Sequence, residues 1–159
     1  MASNASIESS ETNFGLDMIR QLPASEVLVV SPLSVIFALT MIQVGAKGKT
    51  KAQINQVVSK DASDNEITSF YSKLSQEIAR PSNGAQTRIA NAFFLDKKFN
   101  IEQNYADIIT RKYAAKVQAL NFAQTAQTAK TVNAFVSNAT AGEIDDLITE
   151  DLVKSRKHY

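Results

Sequence analysis

Apolar residues recur at helical spacing over much of the chain, and short β-branched or aromatic runs separate the helical segments. An amphipathic helix is predicted over residues 13–22, where the apolar positions are Phe14, Met18, Ile19 and Leu22. Pro23 ends this pattern. The run Val27–Val30 then predicts a short buried strand.

A second helix is predicted from Leu33 to Val44. Ser31 supplies a hydroxyl that caps the first turn, and Pro32 occupies the position at which a missing N–H costs nothing. The helix is apolar on nearly every side and ends at Gly45, which indicates an interior position. Twenty uncharged residues, 27–46, could also cross a bilayer, but Pro32 and the polar residues around it favour a strand, a turn and a buried helix.

Two capping boxes predict the next helices. Thr50 with Gln53 precedes a short helix, and Ser63 with Glu66 precedes a longer one. The apolar positions of the short helix are Ile54, Val57 and Val58, and those of the longer helix are Ile67, Phe70, Tyr71, Leu74 and Ile78. Residues 81–84 break the longer helix.

A strand–helix–strand unit follows. Arg88–Leu95 has apolar or small residues on both faces, so both faces should be covered. The following helix carries Ile101, Tyr105, Ile108 and Ile109, and Val117–Phe122 forms a second strand. This spacing predicts a parallel pair joined by a crossover. A last helix is predicted over residues 126–139, with Gly142 beyond its end.

These elements predict an α+β domain that is mostly helical, with two main strands and one short buried strand. We expect a flexible N-terminus over residues 1–12, a domain over 13–148 and a divergent polar tail over 149–159. The chain has 159 residues and neither an internal repeat nor a low-complexity linker, which suits a single globular core.

Charge and composition exclude several function classes. The formal charge of +1 does not suit nucleic-acid binding. The absence of cysteine removes disulfides and thiolate chemistry, and suits a reducing compartment. The first residues are polar and acidic and lack the features of a secretory leader, so a cytoplasmic location is expected.

No credible active site is apparent, and the protein is not expected to be an enzyme. Gly48-Lys49-Thr50 lacks the preceding glycine and the strand of a phosphate-binding loop. His158 is the only histidine, so neither a catalytic triad nor a zinc site can be assembled. The adjacent carboxylates Asp145 and Asp146 indicate a solvated turn. No metal and no cofactor are expected.

Three segments resemble serpins, a family of protease inhibitors. Residues 29–53 resemble the pattern F-S-P-x-S-I-x-x-A-L-x-M-x-x-x-G-A-x-G-x-T-x-x-Q. Residues 89–94 resemble the A-N-x-x-F strand, and residues 132–144 resemble I-N-x-W-V-x-x-x-T-x-G-K-I, with Phe135 in place of tryptophan and Glu143 in place of lysine. The resemblance runs from about Phe14 to Ile148 and identifies the chain as the N-terminal portion of a serpin.

The resemblance implies roles for a few residues. Ser31 and Ser34 match the region that helps control sheet opening in serpins, although a helix cap explains both serines equally well. Asn91 and Asn133 match motif positions and are assigned structural hydrogen bonding, and Thr140 and Gly142 also match motif positions.

The resemblance implies serine-type endopeptidase inhibition and negative regulation of proteolysis, with serine or papain-like cysteine proteases as partners of a longer chain. Inhibitory serpins present a reactive loop near the C-terminus, and we expect that loop to be absent here. Alternatives are a non-inhibitory fragment or splice form that pairs with itself or with complete serpins through exposed strand edges, and a non-functional product. No nucleic acid or membrane partner is expected; an extracellular location, as for many serpins, is the alternative to the cytoplasm.

Overall fold

The computed structural model describes residues 4–21, 23, 25, 27, 29–59, 61–80 and 87–155. These residues are mostly helical and contain one small parallel sheet, which confirms the predicted α+β class. The elements in chain order are α1 (Asn4–Arg20), α2 (Pro32–Gly45), α3 (Gly48–Ser59), α4 (Asp64–Ile78), β1 (Ala92–Asp96), α5 (Gln103–Tyr113), β2 (Lys116–Leu120), α6 (Thr125–Thr140) and α7 (Glu150–Ser155).

The chain divides into two compact units, each with its own apolar core. The first comprises the described residues up to Glu77 together with 111–113, and the second comprises the described residues of 78–110 and 114–155. The buried apolar residues of the first unit are Ile7, Ile36, Phe37, Met41, Ile54, Val58, Ile67, Tyr71 and Tyr113. Those of the second unit are Ile109, Ala115, Ala129, Val132, Val136 and Val153.

Helix α1 begins well before the predicted residue 13 and ends at Arg20; Leu22 lies outside the described residues. Two hydroxyls of its first half are satisfied within the helix, because Ser10 and Thr12 donate to carbonyls four residues earlier. Ile7 is only 2% exposed and anchors this half in the core. The extension of α1 before residue 13 could not be predicted from the sequence, because a single large apolar residue, Ile7, does not make a periodic pattern.

Helices α1 and α2 approach closely at Gly15. A Cβ atom at this position would lie 2.8 Å from Cγ and 3.3 Å from Cβ of Pro32. Pro32 is the first residue of α2, as its sequence predicted, and Gly45 is the last. The absence of a side chain at position 15 therefore allows α1 to contact the start of α2.

The predicted buried strand at Val27–Val30 is wrong. Val27, Val29 and Val30 belong to no strand, and Val27 and Val29 are almost fully exposed; Leu28 lies outside the described residues. A β-branched run forms a strand only when a neighbouring strand pairs with it. No such neighbour is present in the described part of the chain.

One of the two predicted capping boxes is present. Ser63 and Glu66 exchange side-chain and backbone hydrogen bonds at the start of α4, with Glu66 Oε2 accepting from the Ser63 N–H at 2.9 Å. The box at Thr50 and Gln53 is wrong, because α3 begins at Gly48 and places Thr50 inside the first turn. Helix α3 still buries Ile54 and Val58, but Val57 is 42% exposed.

Strands β1 and β2 are parallel, as predicted, and pair in register from Ala92 with Lys116 to Asp96 with Leu120. Both are shorter than predicted. Successive side chains of β1 point to opposite faces and contact different helices. The centre of the Phe93 ring lies 5.8 Å from that of Tyr105 on α5, and the centre of the Phe94 ring lies 5.7 Å from that of Phe135 on α6. Helices therefore contact the sheet through side chains of both faces.

Candidate functional site

Ser31 and Ser34 lie together at the start of α2. The Ser31 hydroxyl oxygen accepts from the Ser34 N–H at 3.3 Å, and the two hydroxyl oxygens are 2.8 Å apart. Both residues are exposed. The geometry is that of a helix cap reinforced by a hydroxyl pair, and it leaves both serines accessible to further contacts.

The side chain of Asn133 on α6 forms hydrogen bonds with three consecutive residues, Asp146, Leu147 and Ile148. Its amide group donates to a carboxylate oxygen of Asp146 and to the carbonyl of Ile148, both at 2.9 Å. Its carbonyl oxygen accepts from the N–H groups of Leu147 and Ile148 at 3.1 and 3.0 Å. These four hydrogen bonds fix a segment that has no regular secondary structure, and we call them the Asn133 clasp.

Neighbouring residues of α6 extend this attachment. The Ser137 hydroxyl donates to Asp145 at 2.5 Å, and the Thr140 hydroxyl oxygen accepts from the Ile144 N–H at 3.1 Å. Gly142 has a φ of +84°, a conformation that favours glycine, and its N–H donates to the Ser137 carbonyl at 2.8 Å. Thr140 and Gly142 thus lie at the turn that directs the chain into the Asn133 clasp.

Asn91 lies immediately before β1, away from the Asn133 clasp in sequence. Its carbonyl accepts from the Lys116 N–H at 2.9 Å, so it extends the pairing of the sheet by one residue. In the described part of the chain the sheet has two strands. Each strand therefore has one neighbour and one edge at which a further strand could pair.

A polar chain inside the first unit was not predicted. The side chain of Gln43, which is 1% exposed, donates to Asn55 at 3.0 Å, and Asn55 donates to Asp64 at 2.6 Å. The Lys51 ammonium lies 2.6 Å from the other Asp64 oxygen. The hydrogen bond from Lys51 lowers the pKa of the Asp64 carboxyl, against the opposing effect of partial burial.

These hydrogen bonds link α2, α3 and α4. They also give the buried amide of Gln43 a partner that an apolar core could not provide. The sequence signal for it was Gln43, an amide residue inside a helix that is apolar on nearly every side. Its partners could not be found from spacing, because they lie on other helices.

The first unit also contains a cluster of four aromatic rings, in which Phe70 meets Tyr71 edge to face at 5.1 Å. Phe37 meets Tyr71 and Tyr113 edge to face at 6.0 and 6.4 Å. Burial raises the pKa of both tyrosine phenols. The cluster is a packing feature of the first unit.

Among the described residues, no cluster of acidic groups or histidines could hold a metal ion. His158 lies outside the described residues. No helix within the described ranges is long and apolar enough to cross a bilayer.

The structure is that of a mostly helical α+β protein in which polar side chains hold backbone segments in place. Comparison with known proteins then gives the family. The family model described as "Serpin (serine protease inhibitor)" matches residues 9–158, and the chain belongs to the serpin family. This is a family of inhibitors and binding proteins rather than of enzymes. The match includes residues 149–158, which the sequence predicted to be divergent.

Individual relatives agree with this assignment. Mouse glia-derived nexin is 32% identical over 151 residues, which cover 93% of this chain and 38% of the relative. Alpha-1-antitrypsin of Meriones unguiculatus is 30% identical over 126 residues, which cover 77% of this chain and 31% of the relative. The chain thus spans about two fifths or less of these curated relatives.

The solved structures show the same relation. An Arabidopsis serpin in its native stressed conformation superposes with a TM-score of 0.82 at 25% identity, over 94% of this chain and 40% of that one. Serpin-12 of Manduca sexta gives a TM-score of 0.76 at 26% identity, over 89% and 40% of the two chains.

Proposed function

We propose that these 159 residues serve as the N-terminal scaffold of a serine-type endopeptidase inhibitor, and that by themselves they do not trap a protease. The family match over residues 9–158 carries the proposal. Serine proteases are the expected targets, with papain-like cysteine proteases as an alternative. The resulting process is negative regulation of proteolysis.

The scaffold role follows from how serpins inhibit. A protease cleaves the reactive loop, and the loop then enters the main sheet as an additional strand. Each new strand gains main-chain hydrogen bonds only if its neighbours are held in fixed positions. Strands β1 and β2 would supply fixed neighbours, because β1 packs against Tyr105 and Phe135 through two of its side chains and pairs with β2.

Ser31 and Ser34 would act at the opening of that sheet. Their exposed hydroxyls hold each other at 2.8 Å, so either can exchange this bond for a contact with a moving strand. In a longer inhibitory protein, Ser34→Ala should change the fraction of protease that is trapped rather than released. Ser155→Ala, an exposed hydroxyl on α7, is the matched control.

The proposal is tested by incubating the 159-residue chain with a panel of serine proteases and with papain. Denaturing gels then report covalent complexes. We expect no complex with this chain, and a complex with a longer product of the same gene that carries a reactive loop. A covalent complex formed by the 159 residues alone would overturn the scaffold proposal. Failure of a loop-bearing product with every protease would refute inhibition.

A second candidate function is pairing with complete serpins. The observation that favours it is the open edge on each strand of the two-stranded sheet. Co-purification of the tagged chain with a complete serpin would support it. A stable monomer that leaves the complete serpin unbound would exclude it.

For the cellular location we propose the cytoplasm, with the extracellular space as the alternative. Fractionation of cells that express the native gene decides between them.

A further inference from the structure

An open cleft of about 460 Å³ lies between helices α1 and α3 of the first unit. Its lining residues are Ser10, Asn13, Phe14, Asp17, Gln56 and Val57. Cavities of roughly 300–1,000 Å³ are the usual size for small-molecule sites. Neither Ser31 nor Ser34 lines the cleft, and none of its residues contributes to the polar chain that begins at Gln43.

The cleft has an apolar wall that the core does not use. Val57 belongs to the apolar stripe of α3 but stays 42% exposed, and Phe14 of α1 is only half-buried. Apolar groups in this state gain free energy when a ligand covers them, at about 25 cal/mol per Å² of apolar surface removed from water. The wall therefore suits the aromatic or aliphatic body of a small molecule.

The rim of the cleft selects the charge of that molecule. Among the described residues that line the cleft, Asp17 is the only charged one, and the exposed side chains of Asn13 and Gln56 supply neutral polar groups beside it. Asp17 pairs with Arg20 at 2.8 Å, but both side chains are about two-thirds exposed, at 66% and 69%. Such surface pairs contribute little, so a ligand cation can compete with Arg20 for the carboxylate.

We propose that this cleft binds a small organic cation with an apolar body, an arylalkylamine in chemical class. The ammonium group contacts Asp17, and the body lies against Phe14 and Val57. This binding site goes beyond the inhibitory scaffold and does not depend on it, because it needs neither the sheet nor a reactive loop.

The experiment is an NMR titration of the isotope-labelled chain with phenethylamine, followed by its neutral analogue phenethyl alcohol. We expect saturable shifts confined to amides around residues 10–17 of α1 and 56–57 of α3, with tighter binding of the amine. Asp17→Asn should weaken amine binding by roughly two- to fivefold and remove the preference over the alcohol. Asp107→Asn, an exposed acid on α5, should change neither.

A second variant tests the apolar wall independently of the carboxylate. Val57→Lys places a cation and a long stem in the cleft, and it should abolish saturable binding while a urea melt shows the first unit still folded. Shifts outside α1 and α3, equal affinity for amine and alcohol, or binding that survives Val57→Lys would each overturn the proposal.

Discussion

The Asn133 side chain makes four hydrogen bonds to three residues that lie 13–15 positions further along the chain. Replacing it with alanine removes the oxygen that accepts from two backbone N–H groups and the amide group that donates two hydrogen bonds. We therefore expect Asn133→Ala to destabilise the protein by about 1–3 kcal/mol. Urea unfolding measures the loss, and faster hydrogen exchange at Leu147 and Ile148 locates it.

Two variants separate the Asn133 clasp from general effects on α6. Asn138→Ala changes an exposed asparagine of the same helix and should stay within about 0.5 kcal/mol of the parent. Asn133→Asp keeps an oxygen that can accept from both backbone N–H groups, but it loses the donors and sets a second carboxylate beside Asp146, so its stability should also fall. Unchanged exchange at Leu147 in Asn133→Ala would show that the segment is held by other contacts.

Residue patterns gave part of this chemistry in advance. Asn133 matched a family motif and was assigned structural hydrogen bonding, but its partners could not be derived, because they belong to a segment without periodicity. Ser31 was read correctly as a cap, since the cap lies within three residues of the group it satisfies. Local hydrogen bonds can be inferred from sequence, whereas bonds between distant segments need coordinates.

At the scale of elements, the contact between α1 and α2 depends on the missing side chain of Gly15. Its added Cβ would lie 2.8 Å from the rigid ring of Pro32, which cannot turn away as a flexible side chain could. Overpacking of this kind costs about 1–3 kcal/mol, and the better helix propensity of alanine returns about 1 kcal/mol. Gly15→Ala should therefore lower the free energy of unfolding by up to about 2 kcal/mol, as measured in urea.

The double variant Gly15→Ala/Pro32→Ala provides the control. Removing the ring opens space for the new methyl group, so the two changes together should cost less than the sum of their separate effects. Additive losses, or a more stable Gly15→Ala protein, would contradict the close contact.

The polar chain that joins α2, α3 and α4 should be sensitive to acid. The pKa of Asp64 is lower in the folded protein than in the unfolded chain, chiefly because Lys51 donates to its carboxylate. Its contribution to stability is therefore complete above the unfolded pKa of about 4, and it is lost as the pH falls through the lower folded value. Urea midpoints measured between neutral pH and about pH 3 should show this decline.

In Asp64→Asn this part of the pH dependence should disappear, and the parent and variant should converge in acid. Asp61→Asn, a nearby exposed acid, should keep the full decline. An identical pH profile for the parent and Asp64→Asn would rule out Asp64 as the titrating group.

Helix boundaries were predictable where the end carries its own chemistry. Ser31-Pro32 and Gly45 delimited α2, and Ser63 with Glu66 delimited α4. The Thr50 box failed because Gly48 already begins α3. The strand at Val27–Val30 failed for a different reason: strand formation depends on a partner that a local pattern does not specify.

At the scale of the whole molecule, the two-stranded sheet is the least complete feature. Isolated two-stranded sheets are marginal in water, and within the described residues each strand leaves one edge unpaired. We expect the 159-residue chain to associate as its concentration rises. Size-exclusion chromatography with light scattering would show an apparent mass that increases with loading. A monomer at every concentration, with one cooperative urea transition, would mean that the chain closes its own core.

The α+β class and the parallel crossover could be derived from sequence, because hydrophobic period and element order determine them together. The division into two units could not, since Arg111–Tyr113 cluster with the first unit although the surrounding chain belongs to the second. The cleft between α1 and α3 could not be predicted from the sequence either, because the spacing of Val57 is that of a core residue of α3.

The ring of Phe135 packs edge to face on Phe94, and the Lys116 ammonium lies 5.4 Å from its centre. The chain contains no tryptophan, so its near-ultraviolet emission comes from tyrosine alone. Phe135→Trp would restore the indole of the family motif and place the only tryptophan of the chain in the second unit. Because the Lys116 ammonium lies over that ring, the wavelength and intensity of the tryptophan emission would report on the packing of α6 against the sheet. This signal would be independent of the tyrosines Tyr71 and Tyr113 in the first unit.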